Sequence, residues 1–252
     1  AGVISGTPIA GGEYSWTARV TDSFGLFDDV KDGMAFANNQ YLFHYGGADG
    51  STNFIDSGNL GITWTRVQDN NGGTLPTIST AQSKFGGSSG RFVQGPGIGV
   101  SGFLLGAGLA SLGTDLFTLE TFAWIDPAGT TENPSFADIF SGGSRTGLFM
   151  GAGSGATRSV AMSIGESLGS FYTVSSGQWI HFAMQRRAGN QWDFFVDGVL
   201  KETRTSTYTF SSNAPRIGLR FTGFLAETRF LPGRAIYNTA GFNPPTAPFF
   251  PP

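Results

Sequence analysis

The chain has 252 residues, with 39 Gly, 24 Phe and no Cys; charged side chains make up 13% and the net charge is −3. These values exclude disulfide support, cysteine zinc sites and thiol nucleophiles, and without a basic run they give nucleic-acid binding no footing. No stretch of about 18 apolar residues occurs, so no membrane-spanning helix is expected. The Gly residues have no three-residue period, which rules out a collagen helix. Gly and Phe together point instead to tight turns between aromatic-rich strands, and the length fits one large β-sandwich with a small appendage. Twelve Arg stand against three Lys, a bias toward the residue whose planar fork suits interfaces.

Ala1-Gly2-Val3-Ile4-Ser5 lacks the basic flank and apolar run of a secretory signal. Tyr14, Trp16, Ala18 and Val20 alternate with Ser15, Thr17, Arg19 and Thr21, the period of a half-buried strand. Asp22-Ser23-Phe24-Gly25 is a turn after it. Residues 1–36 form a first segment too short for a complete sandwich, so they read as a docking arm. Tyr41–Tyr45 is a short apolar strand ending in Gly46-Gly47-Ala48-Asp49-Gly50. Gln68 to Thr80 reads as a polar loop, and Gly95 to Gly108 as Gly-rich and irregular.

Strands resume at Phe117–Ile125, stopped by Asp126-Pro127, with others at Ala137–Phe140, Gly147–Met150, Val160–Ile164 and Trp179–Arg187. The strongest local signal is Trp192–Val196, Asp197-Gly198, Val199–Lys201. Asp-Gly between apolar runs specifies a type I′ hairpin, because both central residues need positive φ. Arg216–Phe221 and Gly223–Phe230 follow, and Asn243–Pro252, with its Pro residues and Phe249-Phe250, reads as an extended tail. No helical period appears, and many short strands with regular turn signals give an all-β sandwich or jelly roll.

Several segments, in order, resemble the concanavalin A-like, laminin-G-like jelly rolls of bacteriophage structural proteins. They are Phe43–Thr52, Ser79–Ser89, Phe117–Glu120, Trp179-Ile180-His181-Phe182-Ala183, Phe195–Val199, Gly223–Arg229 and Tyr237–Phe249. Ile4–Pro8, Gly11, Tyr14 and Arg19–Asp22 resemble the end of a bacterial immunoglobulin-like module. The resemblance implies a concanavalin A-like jelly-roll β-sandwich over residues 37–252, carrying the Pro-rich C-terminal tail. An N-terminal β arm or immunoglobulin-like fragment precedes it over residues 1–36. The acidic pair of the family's penultimate strand is reduced to Ala226-Glu227, and the inserts from Gly58 to Leu75 and Gly95 to Gly108 are long. Added loops at a sandwich rim are where binding specificity tends to sit.

Catalysis finds no support in the residues. Glycosidases of this fold need two carboxylates about 5 Å apart, which on one strand face means two Glu flanking an Asp. Glu120 has Phe122 and Trp124 at the alternating positions, and Glu227 is also alone. His44 and His181 are far apart in sequence, and His181, between Ile180 and Phe182, suits a buried hydrogen bond. No catalytic residue and no required cofactor are expected. Calcium at the rim is the one metal the resemblance implies, with Asp49, Asp56 and Asp126 as its carboxylate candidates; Asp before Gly is otherwise a turn residue. A glycan site would use exposed aromatics beside polar partners. Trp64 with Arg66, in the inserted segment, is the leading candidate, followed by Tyr172 and Tyr237, while Trp16, Trp124, Trp179 and Trp192 read as core.

The resemblance implies a non-enzymatic virion component, exposed on the particle exterior as a head decoration, tail or fibre protein. Its partners would be other virion proteins and copies of itself, a trimer among the options, with no nucleic acid and no membrane. The alternative is a lectin-type adhesin for host surface glycans.

Overall fold

The computed structural model describes residues 17–21, 27–31, 40–69, 73–95, 99–130, 132–211 and 213–249. It divides the chain into two compact units, Ala1–Ala37 and Asn38–Pro252. In the first unit β1 (Thr17–Thr21) and β2 (Phe27–Lys31) pair antiparallel, with Thr17 opposite Lys31 and Thr21 opposite Phe27. Tyr14 and Trp16, which belong to the expected strand, lie outside the described residues, as do the expected turn at Asp22–Gly25 and Phe250.

The second unit contains β3 (Tyr41–Phe43), β4 (Thr63–Asp69), β5 (Thr77–Ser79), β6 (Ser89–Phe92), β7 (Ser101–Ala107), β8 (Phe117–Ile125), β9 (Ser135–Ser141) and β10 (Ser144–Met150). There follow β11 (Thr157–Ile164), β12 (Ser167–Leu168), β13 (Tyr172–Ser175), β14 (Trp179–Arg187), β15 (Gln191–Val196), β16 (Val199–Thr205), β17 (Ala214–Ile217) and β18 (Gly223–Pro232). They form two antiparallel sheets packed as an all-β sandwich. One runs β12-β11-β10-β9-β17-β7-β4 with β13 beside β11, and the other runs β16-β15-β14-β8-β18-β6-β5 with β3 beside β18.

Alternation decides which side chains meet between the sheets. Phe117, Leu119, Ala123 and Ile125 of β8, Ile180, Phe182 and Met184 of β14, and Trp192, Phe194 and Val196 of β15 face Leu148, Met150, Val160 and Met162 of the opposite sheet. The β15–β16 turn has φ of +47° at Asp197 and +74° at Gly198, as a type I′ hairpin requires.

Two stretches differ from the sequence expectation. The Gly-rich segment contains β7, and the loop assigned to Gln68–Thr80 contains the end of β4 and all of β5. Here glycine serves close approach rather than a turn. A Cβ on Gly102 would lie 2.1 Å from the Thr74 carbonyl oxygen, and one on Gly106 would lie 3.1 Å from the Trp64 ring. Glycine inside a strand marks such contacts.

The tail is the third difference. Among its described residues, 243–249, it has neither helix nor strand, as expected, but it is docked on its own sandwich. Phe249 is 2% exposed and packs with Leu42, Phe122 and Ala226 on the outer face of the β8–β18 sheet.

Candidate functional site

Among the described residues two polar constellations stand out, one closed and one open to solvent. The closed one lies on the outer face of β8, β14 and β18. Glu120 accepts hydrogen bonds from Arg229 Nη2 at 2.6 Å and Nε at 2.8 Å, from His181 Nε2 at 3.0 Å, and from the Tyr237 hydroxyl. Strand register builds this cluster, since Glu120 lies opposite Arg229 on β18 and next to the His181 position on β14. Glu120 and His181 are fully buried. Burial alone would raise the Glu120 carboxyl, but the Arg229 charge, the His181 contacts and the Tyr237 hydrogen bond hold it down to about 2. Burial and the Glu120 charge push the Tyr237 phenol up.

The tail closes the cluster from above. Gln185 Oε1 accepts the Tyr237 N–H at 2.9 Å and Gln185 Nε2 donates to the Tyr237 carbonyl at 2.8 Å. Tyr237 stacks on Phe242 at 3.6 Å, and Arg229 lies over the Phe249 ring at 4.1 Å. A bulge in β18 turns Glu227 to φ +52°, where its carboxylate accepts His44 Nδ1–H and the Phe249 N–H, each at 2.8 Å. Glu120 is fully buried beneath these residues, and the cluster ties the tail to the sheet. His181 therefore makes the buried hydrogen bond expected of it, though under the tail rather than between the sheets.

Tyr237 is thus corrected as a glycan candidate: it is 7% exposed and its hydroxyl is taken by Glu120. Of the other tryptophans, Trp192 is fully buried between the sheets, while Trp124 and Trp179 are half-buried on the outer face, where Trp124 packs on Phe224; Trp16 lies outside the described residues.

The open constellation is a cleft of about 520 Å³ lined by Thr52, Asn53, Phe54, Trp64, Thr65, Arg66, Leu75 and Leu104. β4 is an edge strand paired on one side with β7, with Trp64 opposite Gly106 and Arg66 opposite Leu104. Residues i and i+2 point the same way from a strand, so Trp64 and Arg66 share the cleft. Trp64 is half-buried and packs against Tyr41 at 5.1 Å and Phe43 at 4.9 Å, both near edge-to-face. Its Nε1–H donates to Asp56 Oδ2 at 2.9 Å, which fixes the indole.

The three aspartates proposed for calcium are not brought together, and among the described residues no group of three or more His, Asp or Glu is placed to hold a metal. Asp56 is filled by N–H donors, because its Oδ1 accepts from Leu42 at 2.9 Å and Gly58 at 2.8 Å while Oδ2 holds Trp64. Asp49 caps the Thr80 N–H and Asp126 caps the Ala128 N–H, with Arg91 4.0 Å away. These are turn roles. Asp56 was misread from the sequence: it positions the site residue Trp64. Tyr172 is half-buried against Phe194, and its hydroxyl donates to the Lys201 carbonyl at 2.7 Å; it does not line the cleft.

A family model described as the concanavalin A-like lectin/glucanases superfamily matches residues 101–234. That is more than half of the chain, and the chain belongs to this superfamily. No characterised protein matches it significantly by sequence. Among solved structures, the botulinum neurotoxin serotype G binding domain is similar with a TM-score of 0.51 at 12% identity, covering 79% of this chain and 48% of that one. The binding domain of Paraclostridial Mosquitocidal Protein 1 is similar with a TM-score of 0.50 at 10% identity, covering 81% and 51%. At these identities the likeness concerns the fold, and the chain spans about half the length of these structures.

Proposed function

We propose that this member of the superfamily is a non-enzymatic recognition module that binds a glycan in the Trp64–Arg66 cleft. One observation carries the reading. An indole fixed by Asp56 and a guanidinium sit side by side in a concave, solvent-open site at a sheet edge, the combination of ring face and polar groups that sugars use. A non-enzymatic role is supported by Glu120, whose carboxylate is fully buried and engaged by Arg229, His181 and Tyr237, whereas glycosidase carboxylates must reach the scissile bond. The test is a glycan array with wild type and Trp64→Ala. Bound glycan that is lost in the variant is expected, and an array with no signal would overturn the proposal.

The setting we propose is the exterior of a phage particle, as a decoration, tail or fibre component that attaches to cell-surface glycan. The ordered resemblance of segments from Phe43 to Phe249 to phage structural proteins supports it. Residues 1–36 would be the docking arm or immunoglobulin-like fragment, making contacts with virion proteins or further copies of the chain. The two five-residue strands β1 and β2 support this role, since a lone hairpin is marginal in water. Light scattering with and without residues 1–36 tests it: loss of an oligomer on truncation, with the sandwich still folded, is expected, and an unchanged monomer would overturn it.

A further inference from the structure

We infer that the cleft selects sugars carrying an anionic group, a carboxylate or a sulfate, with Arg66 supplying the charge contact and Trp64 the stacking surface. This rests on the cleft being a glycan site and adds the ligand's chemical class.

The argument starts from what Arg66 lacks. Its Nε is buried without a hydrogen-bond partner, and no ion pair of its guanidinium occurs among the described residues. Other arginines in the molecule reach carboxylates: Arg145 reaches Glu166, Arg187 Asp193, Arg216 Asp138, Arg220 Asp69 and Arg229 Glu120. Arg158, Arg186 and Arg204 have no carboxylate partner among the described residues but donate to neutral oxygens, of Gly151, Asn190 and Ser167 among others, whereas no hydrogen bond of the Arg66 guanidinium occurs among the described residues. A guanidinium carries five donors and no acceptor, and leaving a buried donor unpaired costs free energy. The chain has a carboxylate close to the cleft, Asp56, but spends it on Leu42, Gly58 and Trp64. The counter-charge for Arg66 is therefore not supplied from within the cleft.

A ligand that brings a planar carboxylate or a sulfate supplies it at the two Nη groups, which unlike the buried Nε remain accessible, and that end of the guanidinium matches two oxygens at once. A ligand without a ring face would leave Trp64 unused, and an uncharged sugar would leave Arg66 uncompensated. Thr52, Asn53 and Thr65 also line the cleft and offer polar groups for the ring hydroxyls. β4 places the two principal residues in consecutive same-face positions, so one sugar residue with its acidic substituent spans both.

The experiment uses the full chain on an array holding neutral glycans, carboxylated glycans with sialic or uronic acids, and sulfated glycans. Wild type, Trp64→Ala, Arg66→Gln and Arg66→Lys are compared, each first shown by thermal unfolding to be folded. Binding confined to the anionic glycans is expected, together with a loss of about tenfold or more in Arg66→Gln. Arg66→Lys should recover part of that loss, because it keeps the charge without the fork. The carboxylated and sulfated arms then distinguish the two sources of charge, and added salt should weaken either. Equal binding of neutral glycans, abolished by Trp64→Ala but unchanged in Arg66→Gln, would overturn the charge selection and leave the glycan site standing. No glycan bound by wild type would overturn both.

Discussion

Replacing Glu120 by Gln removes the anion at the centre of the tail latch while keeping its size. In the folded protein Arg229 would then stay buried with its two short contacts to a neutral amide in place of a carboxylate. Breaking a buried ion pair from one side typically costs about 3–5 kcal/mol, because the remaining charge is uncompensated. The pH response gives a second measure. The Glu120 carboxyl moves from its ordinary value of 4.5 to about 2 on folding, which corresponds to about 3 kcal/mol of stability. The folded-state value is the lower one, so this contribution is fully present above roughly pH 5 and disappears as pH falls toward 2. For a domain of this size the substitution should lower Tm by roughly 6–20 °C near neutral pH, and the gap between wild type and variant should close below pH 3. Thermal unfolding followed by circular dichroism from pH 2 to 7 reads both. A variant within about 1 kcal/mol of wild type at pH 7, or a gap that does not change with pH, would refute the assignment of Glu120 as the paired anion. Replacing the pair together, Glu120→Leu with Arg229→Met, should be less damaging than Glu120→Gln alone, since an apolar pair leaves no stranded charge.

Asp56→Ala should unseat Trp64 and leave the Leu42 and Gly58 N–H groups without their acceptor, costing about 2–3 kcal/mol. The tryptophan emission should shift, while calcium or EDTA should leave the Tm of wild type unchanged; a calcium-dependent Tm would contradict the structural role given to Asp56. Deleting residues 235–252 removes Tyr237, Phe242 and Phe249 from the outer face, where burial of aromatic side chains contributes about 1.5–3 kcal/mol each. The truncated chain should unfold at markedly lower urea and bind a hydrophobic dye, and an equally stable truncated sandwich would show the tail to be dispensable.

The sequence by itself determined the fold class and its local elements. Alternation on β8 and β14, the Asp197-Gly198 turn and the absence of a helical period are local signals that need no knowledge of neighbours. It also singled out Trp64 and Arg66 as an aromatic beside a polar partner in an inserted segment, but that they share one face of an edge strand came only from the structure. What it misassigned were residues whose role depends on a partner remote in the chain. Gly102 and Gly106 read as loop residues because glycine is a turn former, yet the requirement for them comes from neighbours pressed against β7, Thr74 at Gly102 and Pro215, Ile62 and Trp64 at Gly106. Asp56 read as a calcium ligand, yet its oxygens are filled by Leu42, Gly58 and Trp64. Tyr237 read as an exposed platform, and Phe249 as part of an extended tail, until folding laid both over Glu120 and Glu227. Whether an aromatic ring is a surface to be used or a surface already buried is fixed by what folds back over it, and only the tertiary structure brings residues 237–249 onto a face built from residues 117–125, 179–187 and 223–232.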